Sequence, residues 1–347
     1  MTEQEEFDAT PVSPDGLDDP LLLREWFAIA WSREVVAGQP LARRLLGRDV
    51  VLWRSADGLH CWRDLCIHRG AKLSLGTVRN DCLVCPYHAW EYNTAGQCVL
   101  IPAQPNLPPP AKARAEVYRA QERYGMVWVC LAPGRIDPSG DVPQFAYADE
   151  PGFRTVLAGP YRFVAKGPRV IENLFDVAHL GHVHAGLLGD PQWLQIEDYE
   201  VSMGVDGPEA KNMRIWQPDP DGTGQPAMVT YHYWAAGPLT AGLVKLRGDS
   251  ATADAQQFGI LAQVAPVDAE TVNVRMAIVM NYGHEIPEAE IVAFQDVVIE
   301  QDRIVVESQR PELLPLDLQA ELHLRSDRMA IAYRKWLSAI GMKYGTA

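Results

Sequence analysis

The stretch CIHRGAKLSLGTVRNDCLVCPYHAW, Cys66 to Trp90, carries three cysteines and two histidines. Two clips stand out in it, Cys66-x-His68 and Cys85-x2-His88, with sixteen residues between them. Thiolates and imidazoles in pairs suit zinc or an iron-sulfur cluster, and two clips joined by a loop can hold either. Cys82 and Cys85 form a CxxC that also suits zinc. Each clip, however, gives one Cys and one His, which matches a binuclear centre with two thiolates on one iron and two imidazoles on the other. A zinc-stabilised binding module is the competing reading.

A second group lies in ENLFDVAHLGHVHAGLLGD, residues 172–190, where Asp176, His179, His182 and His184 fall within nine positions. Two imidazoles and one carboxylate on one face of a metal leave the opposite side open to dioxygen and substrate, the donor set of non-haem Fe(II) oxygenases. Spacing alone does not choose the histidines. His179 and His182 neighbour each other on an unbroken helix, whereas His179 and His184 point about 140° apart. Gly181 is expected to interrupt the helix and swing the later histidine inward. The carboxylate comes from a distant segment. In PEAEIVAFQDVVIEQDRIVVESQR, residues 287–310, Ile291, Phe294, Val298, Asp302 and Val305 share one stripe at spacings of three and four. A carboxylate inside an apolar stripe must be paired, protonated or metal-bound. Asp302 is the choice, with Asp296 as runner-up.

Taken together these motifs resemble the Rieske non-haem iron oxygenases, over a span from Arg24 to Pro311. The resemblance implies that Cys66 and Cys85 bind one iron of a [2Fe-2S] cluster and His68 and His88 the other. Ala71 and Tyr87 stand where the respiratory members carry disulfide cysteines, and His68-Arg69-Gly70 also points to the oxygenase branch. Ala89 departs from the family's PYHGW, and its extra methyl is expected to be tolerated. The family pattern N-x-x-D-x-x-H-x4-H matches Asn173, Asp176, His179 and His184, making the last two iron ligands with His182 as fallback. The acidic step and E-[AS]-Q of the family match Glu300, Asp302 and Glu307-Ser308-Gln309. Asp176 is then expected to bridge a cluster histidine of one subunit and an iron-bound histidine of its neighbour.

The same resemblance implies an α+β chain: an all-β Rieske domain followed by a helix-grip (START-like) catalytic domain, assembled head to tail as a homotrimer. Cofactors are the cluster and mononuclear Fe(II), with dioxygen as co-substrate and a reductase or ferredoxin as electron donor. The expected reaction is monohydroxylation or O- or N-demethylation of an aromatic, alkaloid or other cyclic small molecule. The alternative is arene cis-dihydroxylation, and a rival of another class is a non-catalytic Rieske electron carrier.

The elements that position these groups follow from composition and punctuation. Residues 1–20, dominated by Pro, Asp and Glu, read as a disordered acidic tail. Residues 21–132 show short apolar runs split by turn residues, RDVVLWRS, CLVCPYHAWEY, NTAGQCVLIP and YGMVWVCLAP among them, and read as strands. Prolines make PAQPNLPPPAKA, residues 102–113, an extended connection. Residues 133–152 are a Pro, Gly and Asp-rich linker, and 153–347 form the second domain, with strands followed by helices from Pro287 to Pro311 and from Ser326 or Asp327 to Gly341. Trp216, Tyr231, Tyr233, Trp234 and Met203 are candidates to line a pocket or to fill a core.

The chain has 347 residues, 47% of them hydrophobic, and 45 acidic against 31 basic residues give a net charge of −14. That field repels phosphate backbones and anionic lipids, so nucleic acid and membrane are not expected partners, whereas a basic reductase patch would be attracted. No apolar run approaches the roughly 20 residues of a spanning helix. Five of six cysteines fall between Cys61 and Cys98, a cluster that suits metal binding in a cytoplasmic protein rather than disulfides. Cys61, Cys82, Cys98 and Cys130 are expected to be small buried hydrophobes.

Overall fold

The computed structural model describes residues 12–134, 136–220, 223–247 and 255–347. They divide into two compact units, one holding the described residues up to Val142 with Pro266–Ala269, the other Pro143–Ala265 with Glu270–Ala347. Most of the acidic start lies outside the described residues. The expected loose tail is corrected for its last part. Ser13 donates to Asp18 through its backbone N–H at 2.7 Å. Asp19 is 3% exposed and accepts from the Leu21 N–H at 3.0 Å, which caps the short helix α1 (Pro20–Leu23).

The first unit is all β: β1 (Phe27–Trp31), β2 (Leu41–Leu45), β3 (Arg48–Ser55), β4 (Gly58–Arg63), β5 (Thr77–Arg79), β6 (Cys82–Val84), β7 (Glu91–Tyr92), β8 (Cys98–Leu100), β9 (Val117–Arg123) and β10 (Met126–Cys130). Six strands form a sheet in the order β1-β10-β9-β4-β3-β2, and β5-β6-β7-β8 form a smaller one. Trp53, Trp62, Leu83 and Tyr92 pack into one apolar cluster that also takes in Cys66 and Cys85. The run CLVCPYHAWEY is two strands rather than one. The loop between β6 and β7 carries Cys85 and His88, and the loop between β4 and β5 carries Cys66 and His68.

The second unit begins inside the expected linker, where Phe145 is fully buried and packs toward Trp234 with ring centroids 6.3 Å apart. It comprises β11 (Arg154–Phe163), α2 (Gly167–Phe175), α3 (Leu180–Val183), β12 (Glu200–Met203), β13 (Pro208–Gln217), β14 (Ala227–Gly237), β15 (Thr240–Arg247), β16 (Gln257–Pro266), β17 (Val272–Met280), α4 (Glu288–Ser308) and α5 (Arg328–Ile340). The sheet runs β11-β17-β16-β15-β14-β13-β12. Residues 229, 231, 233 and 235 of β14 are buried in alternation, so one sheet face lies against the helices and forms the core. Pro287 is the N-cap of α4, with Glu288 and Glu290 in its first turn, where acidic residues favour the helix dipole. Asp327 occupies the N-cap position of α5 without a side-chain capping bond, and the helix ends at Gly341 in the left-handed region (φ 74°), a conformation glycine adopts without strain.

The buried stripe of α4 is Ile291, Gln295, Val298, Ile299, Asp302 and Val306. It is turned slightly from the expected one: Phe294 is half-buried and Val305 is 41% exposed. Helix α2 is held in place by buried charges. Arg334 of α5 grips Glu172 with two bonds of 2.5 and 2.8 Å, and Arg169 reaches Glu321 at 2.6 Å. Among the described residues no helix is long and apolar enough to cross a membrane.

Candidate metal centres and substrate cavity

The two clips of the first unit are built alike. In the first loop the Cys66 N–H donates to the Ala71 carbonyl (2.8 Å) and the Gly70 N–H returns to the Cys66 carbonyl (2.9 Å). In the second, the Cys85 N–H donates to the Trp90 carbonyl (2.9 Å) and the Ala89 N–H returns to the Cys85 carbonyl (3.1 Å). Both loops turn through a left-handed residue at the same place, Gly70 at φ 70° and Ala89 at φ 53°. That geometry explains why a glycine is expected at position 89. The methyl meets the backbone sterics of the left-handed region rather than a packing problem over a cluster.

Each loop buries its thiol and exposes its imidazole. Cys66 and Cys85 are both 2% exposed, while His68 and His88 are exposed with ring centroids 4.6 Å apart. The His68 ring also stacks on Trp90, centroids 4.5 Å apart and 7° from parallel. Burial pushes the Cys85 thiol up, as does Cys66 beside it, while the backbone N–H groups of Tyr87 and His88 pull the other way. N–H groups aimed at a sulfur fit a thiolate, and two thiols pressed together fit a shared metal core that displaces their protons. The Tyr92 hydroxyl lies 3.1 Å from Cys66 Sγ. Four donors grouped as a thiol pair and an imidazole pair therefore fit a binuclear iron-sulfur centre. Cys61, Cys98 and Cys130 are buried, Cys82 is half-buried, and all are free thiols.

In the second unit α2 ends at Asp176, whose extended backbone (φ −80°, ψ 125°) takes the chain out of the helix. Asp176 Oδ1 accepts from the Ala178 N–H at 2.7 Å, a turn that aspartate stabilises, and His179 then opens α3. Gly181 does not break this short helix. It lies against Gly189, where an added Cβ would come within 2.4 Å of the Gly181 Cα, so the glycine pair lets the following loop fold back. His184 turns inward because α3 stops there (φ −104°, ψ 35°). His182 is exposed and points elsewhere.

His179, His184 and Asp302 converge. Asp302 Oδ1 lies 3.3 Å from His179 Nε2 and 3.0 Å from His184 Nε2, and the two Nε2 atoms are 3.2 Å apart. Donors about 3 Å apart are the face of an octahedron with bonds of about 2.1 Å, so the three fit one non-haem metal ion. Among the described residues this is the group of His, Cys, Asp and Glu that could hold a single ion. Asp296 takes no part, since its carboxylate accepts from the Tyr161 hydroxyl at 2.8 Å.

The other ring nitrogens are held from behind. His184 Nδ1 is 2.7 Å from Gln301 Oε1, and His179 Nδ1 is 3.3 Å from Asp176 Oδ2. Each acceptor keeps the proton on Nδ1 and turns the Nε2 lone pair toward the centre. Asn173 Nδ2 donates to Asp302 Oδ1 at 3.5 Å. Burial alone would lower His179, but hydrogen bonds to Asp176 and Asp302 outweigh it and push it up to about 9. Burial would raise Asp302, yet the two histidines hold it below the ordinary carboxylate value. Sequence reasoning missed Gln301. A glutamine next to Asp302 on a helix carries no spacing signal of its own.

The three donors open onto a cavity between the sheet and α4, lined by Tyr231, Tyr233, Leu243, Lys245, Phe258, Ile260, Phe294 and Val298 among others. Tyr231 and Tyr233 thus line it, while Trp216, Trp234 and Met203 do not. Trp234 alternates with its neighbours to the other sheet face and lies across Gly242, where a Cβ would meet its ring at 2.1 Å. Met203 is 60% exposed.

Residues 25–111 match the Rieske [2Fe-2S] domain family, and residues 165–341 match the vanillate O-demethylase oxygenase C-terminal domain family. The chain is similar to methylxanthine N1-demethylase NdmA of Pseudomonas putida, 34% identical over 302 residues, covering 86% of this chain and 82% of that protein. It is also similar to methylxanthine N3-demethylase NdmB of Pseudomonas putida, 31% identical over 309 residues with the same coverage. The solved structure of Pseudomonas putida NdmA with caffeine superposes with a TM-score of 0.79 at 30% identity, over 92% of this chain and 90% of that one.

Proposed function

The chain belongs to the Rieske non-haem iron oxygenases, and on that premise we propose which of its residues carry the reaction. As a terminal oxygenase component it takes dioxygen and electrons from a reductase or ferredoxin and monohydroxylates or demethylates a small cyclic molecule. When bound, the cluster supplies single electrons and the mononuclear iron supplies dioxygen activation.

Cys66 and Cys85 hold one iron of the cluster, His68 and His88 the other, and His179, His184 and Asp302 hold the mononuclear iron. The observation that carries this is the triangle of three donor atoms 3.0–3.3 Å apart at the wall of an apolar cavity. Gln301 and Asp176 fix the two imidazoles, and Asn173 steadies Asp302. The tyrosine and aliphatic floor holds a substrate ring and keeps water from the reacting carbon. The methylxanthine demethylases remove N-methyl groups, as their names state, so an N- or O-methyl group leaving as formaldehyde is the reaction we assign.

Asp176 has a further role as the bridge between copies. Its side chain is 36% exposed while His179 beside it is 14% exposed, so the carboxylate has one side toward the imidazole and one toward solvent. His68 and His88 are exposed on their own loops. A head-to-tail homotrimer would bring a cluster histidine of one copy to Asp176 of the next. The clustered free thiols fit a cytoplasmic protein.

The test is turnover by protein loaded with cluster and iron, given a surrogate reductase and a panel of N-methyl and O-methyl aromatics. Formaldehyde formed in step with dioxygen consumption is expected. A cis-diol carrying both atoms of labelled dioxygen, or no product from a reducible protein, would contradict the assignment.

A further inference from the structure

Helix α4 contains two glutamines, Gln295 and Gln301, and they are used differently. Gln301 is tied to His184 at 2.7 Å. Gln295 is 6% exposed and lines the cavity that holds His179, His184 and Asp302. Among the described residues its amide meets no hydrogen-bond partner, although its neighbour Asp296 turns outward to the Tyr161 hydroxyl at 2.8 Å. Burying an amide without a partner is costly, and native proteins seldom leave one so.

Gln295 precedes Asp302 by seven positions, which puts both on one face of the helix about 10 Å apart along its axis. That interval takes a substituted or fused ring between the amide and the metal triangle. The sheet side of the cavity offers a second neutral group. Tyr233 stacks on Tyr231 with centroids 5.2 Å apart and planes 19° from parallel. The Tyr231 hydroxyl is tied to Gln217 Nε2 at 2.8 Å, whereas that of Tyr233 meets no partner among the described residues. Burial pushes the Tyr233 hydroxyl well above its ordinary value, so it stays protonated. Around the two groups Leu243, Phe258, Ile260 and Val298 supply apolar wall.

We infer that Gln295 is a specificity-determining residue that pairs with the amide edge of a ring lactam on the cyclic substrate. This rests on the oxygenase reading of the site and names the substrate class within it. A primary amide offers two donors and an acceptor. Nε2 donates to the lactam carbonyl while Oε1 accepts from the lactam N–H beside it, which gives two bonds in one plane. The Tyr233 hydroxyl is a further donor for a carbonyl elsewhere on the ring. These groups are neutral, and so is the edge they fit. A carbocycle of similar shape leaves the amide unanswered, and a site built to hydrogen-bond its ligand rejects such an analogue far more strongly than an apolar pocket rejects a wrong methylene.

The test uses loaded holoenzyme and fused-ring pairs, methoxycarbostyrils (a lactam ring fused to an arene) against methoxynaphthalenes, with affinity measured by calorimetry. The lactams are expected to bind at least ~10-fold more tightly than the carbocycles. Gln295→Met, close in volume but without the amide, should remove that preference, while Gln295→Asn retains part of it. Unchanged iron content and thermal unfolding show that each variant is folded, and the wild-type comparison stands even where one is not. Carbocycles that bind as tightly as lactams, a preference that survives Gln295→Met, or a panel in which no lactam binds would each overturn the inference. Product analysis separates this from the function itself. A lactam held through Gln295 that yields neither formaldehyde nor a hydroxylated product leaves the pairing standing and removes demethylation. Formaldehyde released from carbocycles with the same kcat/KM and affinity as from lactams does the reverse.

Discussion

His68 and His88 stand on exposed loops with ring centroids 4.6 Å apart, whereas His179 and His184 are 14% and 1% exposed with their Nε2 atoms 3.2 Å apart. The first pair belongs to two short loops whose backbone bonds repeat each other, so the site is made from local turns resting on an apolar floor of Trp62, Leu83 and Tyr92. The second pair depends on a carboxylate more than a hundred residues away in sequence and on the packing of α2 against α4 and α5. Local turns would suffice for the proposed cluster, whose metal core would itself join the clips. Three donors proposed for a single ion would need to be oriented beforehand, and Gln301 and Asp176 hold the two imidazoles at Nδ1.

This contrast sets the expected size of each perturbation. Asp302→Ala should cost the most: loss of the mononuclear iron and of turnover to background, with the visible spectrum of the cluster unchanged. Loss of both metals together would mean the two sites are not separable in this way. Next comes Asp176→Asn, which keeps both metals by metal analysis but lowers steady-state turnover by about 100-fold. Undiminished single-turnover rates in that variant would remove Asp176 from the electron path.

Gln301→Leu leaves the His184 Nδ1 without its acceptor and should weaken iron binding by roughly 10- to 100-fold, read by titration of iron-free protein. The matching change on the other side is Tyr92→Phe. It removes the hydroxyl 3.1 Å from Cys66 Sγ and should lower the cluster potential without loss of metal, since hydrogen bonds to the sulfurs favour the reduced, more negative state.

The iron-free protein should also respond to pH in a defined direction. His179 is raised from 6.5 to about 9 by Asp176 and Asp302, so the stability its charged form contributes is fully present below pH 6.5 and is lost as pH rises through about 9. Iron competes with that proton, so thermal stability without iron should fall across this window while iron affinity rises. A flat profile for both would place the histidine outside the triangle.

The smallest effect is expected at Ala89. Ala89→Gly relieves the left-handed strain at φ 53° and should raise the stability of the first unit by about 1 kcal/mol, with no change in turnover. Gly70→Ala, at the equivalent turn, should lower it by a similar amount.

Legibility in the sequence follows the same divide. The clips could be read because their four donors sit within one stretch, and the two loops impose the spacing. His179 and His184 could be placed only through the family pattern, because helical arithmetic separates them and the stop of α3 that brings them together has no strong residue signal. Asp302 was legible as a carboxylate on an apolar stripe, although the stripe passes through Val306 rather than Val305. Gln301 and Gln295 were not legible. Each is an ordinary polar residue until the packing of α4 shows what it faces. The packed half of the linker escaped because Phe145 is a single apolar residue among Pro, Gly and Asp.

The most direct measurement is electron paramagnetic resonance of anaerobic protein before and after dithionite, with iron counted in wild type and in Asp302→Ala. The account predicts a signal that appears only on reduction, has the low average g-value of a mixed thiolate and imidazole cluster, and is the same in both proteins. It also predicts about three irons per chain in wild type and about two in the variant. A colourless, silent protein holding zinc, or a variant with undiminished iron, would contradict it.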